Sequence, residues 1–384
     1  MSALPALGTT SELERLEPLA RARRHVPGGP PVGGPVGAVL VDVRHAAVAV
    51  REEVRASGTP DAVVTRPLVT QPHPTAWALH RATRSPLPLV WLTDRLLVVQ
   101  WTRADGRREV LLWGAADHEH DRATLAMRLL RERVPLPSGV VRTVHGSVTG
   151  HLRSLGVDPD DVTLLAFDHL HTQDLRRALG TVGPDAELSP DGPLAGWFPN
   201  ARLLVQRAEW DTLRHPHPLQ QRWYQPETFA GLPPDRLVQL DGDHLLGPGV
   251  ALVATPGHTA GNQSLVLHLA GRVHVVSGNG VAAECWAPSS SRLPGVRRHA
   301  LDTGNEVVPR ASTLEFASWQ YASMVAEALL ADRSPDGRFP LLVPTGELTS
   351  HLLAPGLRPT WSAGPVEHGQ LLPSRALDAG GPVA

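Results

Sequence analysis

Lysine is missing from this 384-residue chain; all 36 basic side chains other than histidine are arginines. Its absence excludes any mechanism that needs a Schiff-base lysine. The abundance of arginine, with 37 prolines and 35 glycines, reflects GC-rich codon usage better than a surface shaped for one partner. A lone cysteine, Cys285, rules out an intrachain disulfide and an all-cysteine metal site, and it fits a reducing compartment. The formal net charge of −2 gives no basic field to recruit nucleic acid, so no nucleic-acid partner is expected. No stretch is apolar for long enough to cross a bilayer, and the opening residues lack an apolar core behind a positive leader. The expectation is a cytoplasmic protein with no membrane partner. The composition leaves the oligomeric state open.

What is present reads as a large α/β unit behind a front segment. Residues 1–35 pass from arginine-rich to Gly/Pro-rich sequence (RARRHVPGGPPVGGPVG), whose backbone settles into neither helix nor central strand, and they are expected to be a flexible leader. Between 36 and 113 the short apolar runs VGAVLVDV, AAVAV, LPLVWLT, LLVVQW and REVLLW, parted by turn signals such as TDR and ADGR, predict an antiparallel meander. Helices are expected over 120–134, over 143–157 with a stop at Gly156, and over 314–332. VTLLAF (162–167), ARLLVQ, the runs 249–254, 264–269 and 272–277, and one short strand in PLLVPTGEL read as strands. A helix is expected in RAEWDTLRH, and residues 180–200 form a Gly/Pro-rich insert ending in two aromatics. Two β-rich regions, each followed by helices, suggest two sheets packed face to face.

The chemistry points to histidines. The apolar run 162–167 stops at Asp168-His169-Leu170-His171, and side chains two apart on extended backbone leaving a strand can face the same way. A lone H-x-H is weak evidence among 19 histidines, and His215 with His217, set between prolines, reads as a solvated turn. The first pair gains weight from His258, which lies 87 residues after His171 in TPGHTAGNQSL, where Gly257 and Gly261 allow sharp turns and a strand follows at once. Three imidazoles leaving one position open form the donor set of a catalytic zinc site.

VTLLAFDHLHTQDL, VALVATPGHTAGNQSLVL and RVHVVSGNG, with the LGVDPDDV, FPNARLLVQRAEWD and LDGDHLLGPG segments around them, resemble the metallo-β-lactamase superfamily over about residues 140–350. The resemblance implies an α/β fold, a four-layer αββα sandwich carrying an extra N-terminal β-rich segment, with a metal at the edge between two sheets. It divides the chain into the leader (1–35) and one domain (36–384), comprising a β-rich portion (36–135), the motif-bearing part (136–350) and a tail (351–384). It implies that His169, His171 and His258 hold a metal. The superfamily's usual first motif, H-x-H-x-D-H, is altered here: Gln173 stands at the place of its aspartate and Asp174 at that of its last histidine. By the same resemblance Asn279 takes the place of a bridging aspartate and Gly346 that of the final histidine, so the second metal site is degenerate.

One zinc per chain is therefore expected, with iron equally suited to three imidazoles. The expected activity is metal-dependent hydrolysis of a small ester, thioester, lactone or related substrate. Asp174 is the candidate catalytic base, also placed to cap the helix that follows, and Asp168 is the candidate partner for a ligand histidine. Gln173 and Asn279 are placed to hydrogen-bond water at the metal, while Glu284, with Cys285 beside it, could reach in from the following loop. Glu347 and His351 are weaker substitutes for the lost histidine. Trp197, Trp210, Trp223 and Trp286 flank the region as walls or core. The rival readings are a non-catalytic descendant that binds a small molecule or a protein, and an iron-dependent oxidoreductase.

Overall fold

A strand covered on one face alternates apolar with polar residues, whereas one covered on both faces is apolar throughout. Runs such as LLVVQW and VTLLA are of the second kind, so the sheet they form has to be covered twice. The computed structural model, which describes residues 8–9, 13–19, 36–120, 132, 142–310 and 316–372, shows how. Its strands are β1 (Gly8–Thr9), β2 (Glu14–Leu16), β3 (Ala62–Pro74), β4 (Leu89–Thr102), β5 (Arg108–Trp113), β6 (Thr143–Val144), β7 (Leu164–Ala166), β8 (Pro184–Asp185) and β9 (Ser189–Pro193). They continue with β10 (Arg202–Gln206), β11 (Leu237–Leu240), β12 (Asp243–Gly247), β13 (Val250–Ala254), β14 (Gln263–Leu269), β15 (Arg272–Ser277), β16 (Leu342–Pro344), β17 (Gly346–Thr349) and β18 (Glu367–Gly369). The helices are α1 (Val36–Ala56), α2 (Thr75–Ala78), α3 (Val148–Ser154), α4 (Arg176–Leu179), α5 (Arg207–Arg214), α6 (Val296–Thr303) and α7 (Ala317–Leu330).

One sheet runs β1-β11-β10-β7-β5-β4-β3-β18, with β17 also paired to β4 and β6 to β3; the other runs β16-β15-β14-β13-β12-β2. Alternation along the strands sorts their side chains into separate cores. Leu97 and Val99 of β4, Leu111 and Trp113 of β5, and Leu164 and Ala166 of β7 meet Leu252, Leu265, Leu267 and Val276 of the second sheet. The intervening residues, Leu96, Val98, Val110, Leu112 and Leu165, pack outward against Val148 and Leu152 of α3 and Trp210 and Leu213 of α5. On the far side Ala251, Val253, Val266 and Val275 pack against Val43, Ala47, Val50 and Val54 of α1 and Met324, Val325 and Leu330 of α7. The result is the αββα sandwich that the resemblance implies.

Three local expectations change. VGAVLVDV and AAVAV are not strands: they form most of the 21-residue helix α1, whose Val43, Ala46, Ala47, Val50 and Val54 recur at helical spacing and are buried. Closely spaced valines disguised a 3.6-residue period as a strand pattern. The meander therefore begins at β3. Within it TDR is no turn, because Thr93, Asp94 and Arg95 lie inside the 14-residue β4, opposite the irregularity in β3 where the register shifts between Pro67 and Val69. PLLVPTGEL supplies two strands instead of one, β16 in the second sheet and β17 in the first, so the chain crosses between sheets at Thr345.

Elsewhere the expected strands at 162–167, 249–254, 264–269 and 272–277 appear within a residue or two as β7, β13, β14 and β15, and 314–332 holds α7. The stretch 143–157 begins as β6 and becomes helical only at α3, capped by the Ser147 side chain and followed by Gly156 at φ 69°. The insert 180–200 carries the small hairpin β8–β9. The helix expected over 120–134 and most of the 1–35 leader lie outside the described residues. The β-rich front portion shares the first sheet with the motif-bearing part through the parallel pairing of β5 with β7. No helix among the described residues is long and apolar enough to cross a membrane.

Candidate metal centre

β7 delivers the first motif to the rim of the sandwich. Past Phe167 the backbone stays extended enough to send Leu170 into the core while His169 and His171 turn the other way. Thr172 ends the motif at φ 62°, a left-handed conformation uncommon for a residue with a branched side chain, and its N–H donates to the Trp223 carbonyl (2.8 Å). The second motif arrives from β13 through a loop that passes very close to α7. A Cβ on Gly257, at φ 146°, would lie 2.2 Å from the Gln320 Cα. That approach is why glycine precedes His258.

One nitrogen from each of His169, His171 and His258 lies within 4.8 Å of the others. His171 and His258 are buried, and burial first, then the positive charge around them, pushes both well below the usual imidazole range. They are neutral near pH 7, the form that ligates metal. Asp168 Oδ1 sits 3.0 Å from His169 Nδ1 and accepts the His169 backbone N–H at 2.9 Å. Gln220 Oε1 lies 3.3 Å from His171 Nε2. Such contacts to one ring nitrogen orient an imidazole whose other nitrogen ligates a metal. The donor set fits a zinc or iron ion.

The loops share a brace. Glu209 of α5, fully buried, accepts the Leu170 N–H (2.8 Å) and the Tyr224 hydroxyl (2.9 Å) on Oε1 and the Thr259 hydroxyl on Oε2. Leu170 lies between the first two histidines and Thr259 follows the third, so a single carboxylate ties both motifs together.

Gln71, His73, Asp94, Asp168, Gln173, Trp223, Arg310, Thr345 and Gly346 join the three histidines around a cleft of about 150 Å³. Gln173 faces it with a buried Oε1 that has no hydrogen-bond partner among the described residues, and the Thr345 hydroxyl is likewise unpaired among them. Asp94 comes from the middle of β4; Gln71 Nε2 donates to its Oδ2 (2.9 Å). Burial pushes its carboxyl up to about 7, against the pull of Arg310 and Gln71. For Asp168 burial also works against ionisation, but the neighbouring His169, its backbone N–H and Arg310 more than offset that and hold the carboxyl below its usual range.

Several expected site residues lie elsewhere. Asp174 does cap the next turn, accepting the Arg176 N–H, but both its oxygens are also held by the Arg176 guanidinium (2.6–3.2 Å), which reaches on to Asp185 and Glu187 of the insert. It does not line the cleft. Asn279 is turned away, donating to Glu327 Oε1 (2.7 Å) and the Thr255 carbonyl. Its neighbour Gly278 faces the site instead, since a Cβ there would fall 1.8 Å from Asp168 Oδ2. Glu284 is buried against the Thr360 N–H away from the cleft, and burial pushes the Cys285 thiol up to about 11. Glu347 pairs with Arg95. His351 stacks on Trp91 at 4.5 Å, and His215 and His217 lie in an exposed turn. Of the tryptophans only Trp223 lines the cleft; Trp210 is core, Trp286 donates to Glu327, and Trp197 lies under the Arg177 guanidinium.

Sequence reasoning missed Asp94, Arg310 and Glu209. TDR looked like a turn and Arg310 sits in no motif. Glu209 did leave a signal, an acid beside Trp210 on the apolar side of an amphipathic helix.

Two facing sheets between helical layers, with histidines converging from loops at their rim, form the mixed α/β sandwich that the sequence resemblance implies. No family model matches the chain. It is 30% identical over 125 residues to N-acyl homoserine lactonases of Bacillus sp. and Bacillus thuringiensis, 33% of this chain and 40% of theirs. The Bacillus cereus N-acyl homoserine lactonase is 29% identical over 116 residues. The match thus spans about two fifths of the length of these curated relatives. Similar solved structures include a quorum-quenching N-acyl homoserine lactone lactonase (17% identity, TM-score 0.41, 64% of this chain and 85% of that one). A probable metal-dependent hydrolase from Staphylococcus aureus is also similar (14% identity, TM-score 0.46, 69% and 82%).

Proposed function

We propose that this protein is a metal-dependent hydrolase of small lactones or related esters, working with a single metal held by His169, His171 and His258. The observation that carries the reading is the convergence of three imidazoles at the head of a small cleft. N-acyl homoserine lactones, named for the Bacillus relatives, are the first substrates to test. When bound, the metal supplies Lewis acidity at a carbonyl oxygen and makes water acidic enough to attack near neutral pH.

The protein's own groups do the rest. Asp168 fixes the His169 ring, Gln220 fixes that of His171, and Gln173 and Thr345 offer buried hydrogen-bonding atoms to a polar ligand. Ring opening by water takes a proton from the attacking oxygen and returns one to the departing alkoxide, giving an alcohol and a carboxylic acid that ionises by releasing its remaining proton to solvent. Asp94, whose carboxyl titrates near the working pH, is placed to hold the transferred proton at its carboxylate and pass it on. It takes the role expected of Asp174. The cleft, at about 150 Å³, suits a ring better than a bulky polymer.

Zinc-reconstituted protein mixed with an N-acyl homoserine lactone is expected to release protons in a pH-stat. Asp94→Asn is expected to lower kcat by about 10²–10⁴ with KM little changed. Because a base must be ionised, wild-type kcat is expected to fall as pH drops through about 7, or somewhat lower once a bound cation draws the Asp94 carboxyl down. Metal-loaded protein that opens neither lactones nor simple esters would contradict the reading and favour a binding protein. Iron in place of zinc would redirect the search to oxygen chemistry.

A further inference from the structure

Two positions that lack side chains, Gly278 and, on the cleft wall, Gly346, each look onto an aspartate. A Cβ on Gly278 would meet Asp168 Oδ2, and one on Gly346 would come 2.9 Å from Asp94 Oδ1. Beside both carboxylates lies Arg310, close enough that each stabilises its charge. Among the described residues no carboxylate closes an ion pair on it. Its contacts are a long hydrogen bond from Nη1 to the Gly278 carbonyl (3.3 Å) and one from Nη2 to His73 Nε2 (3.4 Å). Nε is buried with no hydrogen-bond partner among the described residues.

A guanidinium with a stranded N–H in a cleft lined by imidazoles is an incomplete arrangement. Its planar donors match a carboxylate, and burial strengthens the attraction. A second dication placed beside it would meet a fixed positive charge and would find Gln173 and glycine where the superfamily's ligands are expected. We propose that Arg310 is the second cation of this site: it replaces the charge of a second metal ion, limits the centre to one metal, and receives a carboxylate of the bound small molecule. The proposal rests on the three-histidine metal reading. A neutral lactone becomes an anion as it opens, so the guanidinium holds the opened product more tightly than the lactone.

The test uses zinc-saturated, desalted wild type, Arg310→Met and Arg310→Lys, with zinc counted by elemental analysis and hexanoate, a simple carboxylate, titrated by calorimetry. The wild type is expected to hold one zinc per chain and to bind hexanoate. Arg310→Met is expected to keep its zinc and lose about tenfold or more in hexanoate affinity, with Arg310→Lys between the two. Two zincs or none in the wild type, or equal hexanoate affinity in all three proteins, overturns the proposal. If Arg310→Met does not fold, as thermal unfolding would show, the drop in Arg310→Lys decides. Arg310-dependent hexanoate binding without lactone hydrolysis would sink the hydrolase reading and leave this one standing; hydrolysis with Arg310-independent binding would do the reverse.

Discussion

Glu209 shows how much of the centre depends on a residue that never touches the cleft. Its two oxygens serve the Leu170 N–H, the Tyr224 hydroxyl and the Thr259 hydroxyl, all out of water's reach. Truncating it strands those donors, and buried donors without acceptors cost about 1–3 kcal/mol each. Glu209→Ala is therefore expected to lose about 2–4 kcal/mol in urea unfolding. It is also expected to weaken zinc about 10–100-fold, as loss of a group that orients ligands does. Unchanged zinc affinity in a folded Glu209→Ala protein would show that the two loops hold themselves. At this scale the sequence was legible where side chains repeat a spacing: His169, His171 and His258 were found by pattern and resemblance. Glu209, Asp94 and Arg310 act through contacts with residues far away in the chain, which spacing does not encode.

At the scale of elements, the second motif depends on how closely α7 approaches the loop before His258. Gly257→Ala would put a methyl group 2.2 Å from the Gln320 Cα at a φ of 146° that alanine resists. The expected result is a loss of about 2–4 kcal/mol in stability and a lower metal content. A variant with the wild-type unfolding midpoint and metal content would mean that α7 can retreat at little cost. Elements were legible in proportion to how plainly their period showed. β7, β13, β14, β15 and α7 were, because an apolar run bounded by turn residues has few other readings. α1 was not, since its valines satisfy a period of two locally while only Val43, Ala46, Ala47, Val50 and Val54 carry the helical face. β4 was cut in two because Asp94 and Arg95, a pair that usually marks a turn, here leave a buried strand to reach a cleft.

Across the whole molecule the division of labour is plain. Three apolar cores hold four layers together, and the centre sits at their rim, supported by a buried carboxylate on α5 and by α7. The layered architecture could be anticipated because strands apolar on both faces demand two coverings. The altered half of the motif could be read only as a loss, since the neighbours of Asp94, Asp168 and Arg310 come together only in the fold.

The most direct test is elemental analysis of the protein purified without added metal, beside a His169→Ala/His258→Ala double variant shown by circular dichroism to be folded. The account predicts about one zinc or iron per chain in the wild type and none in the variant. A metal-free wild type, or a variant that keeps its metal, would contradict it.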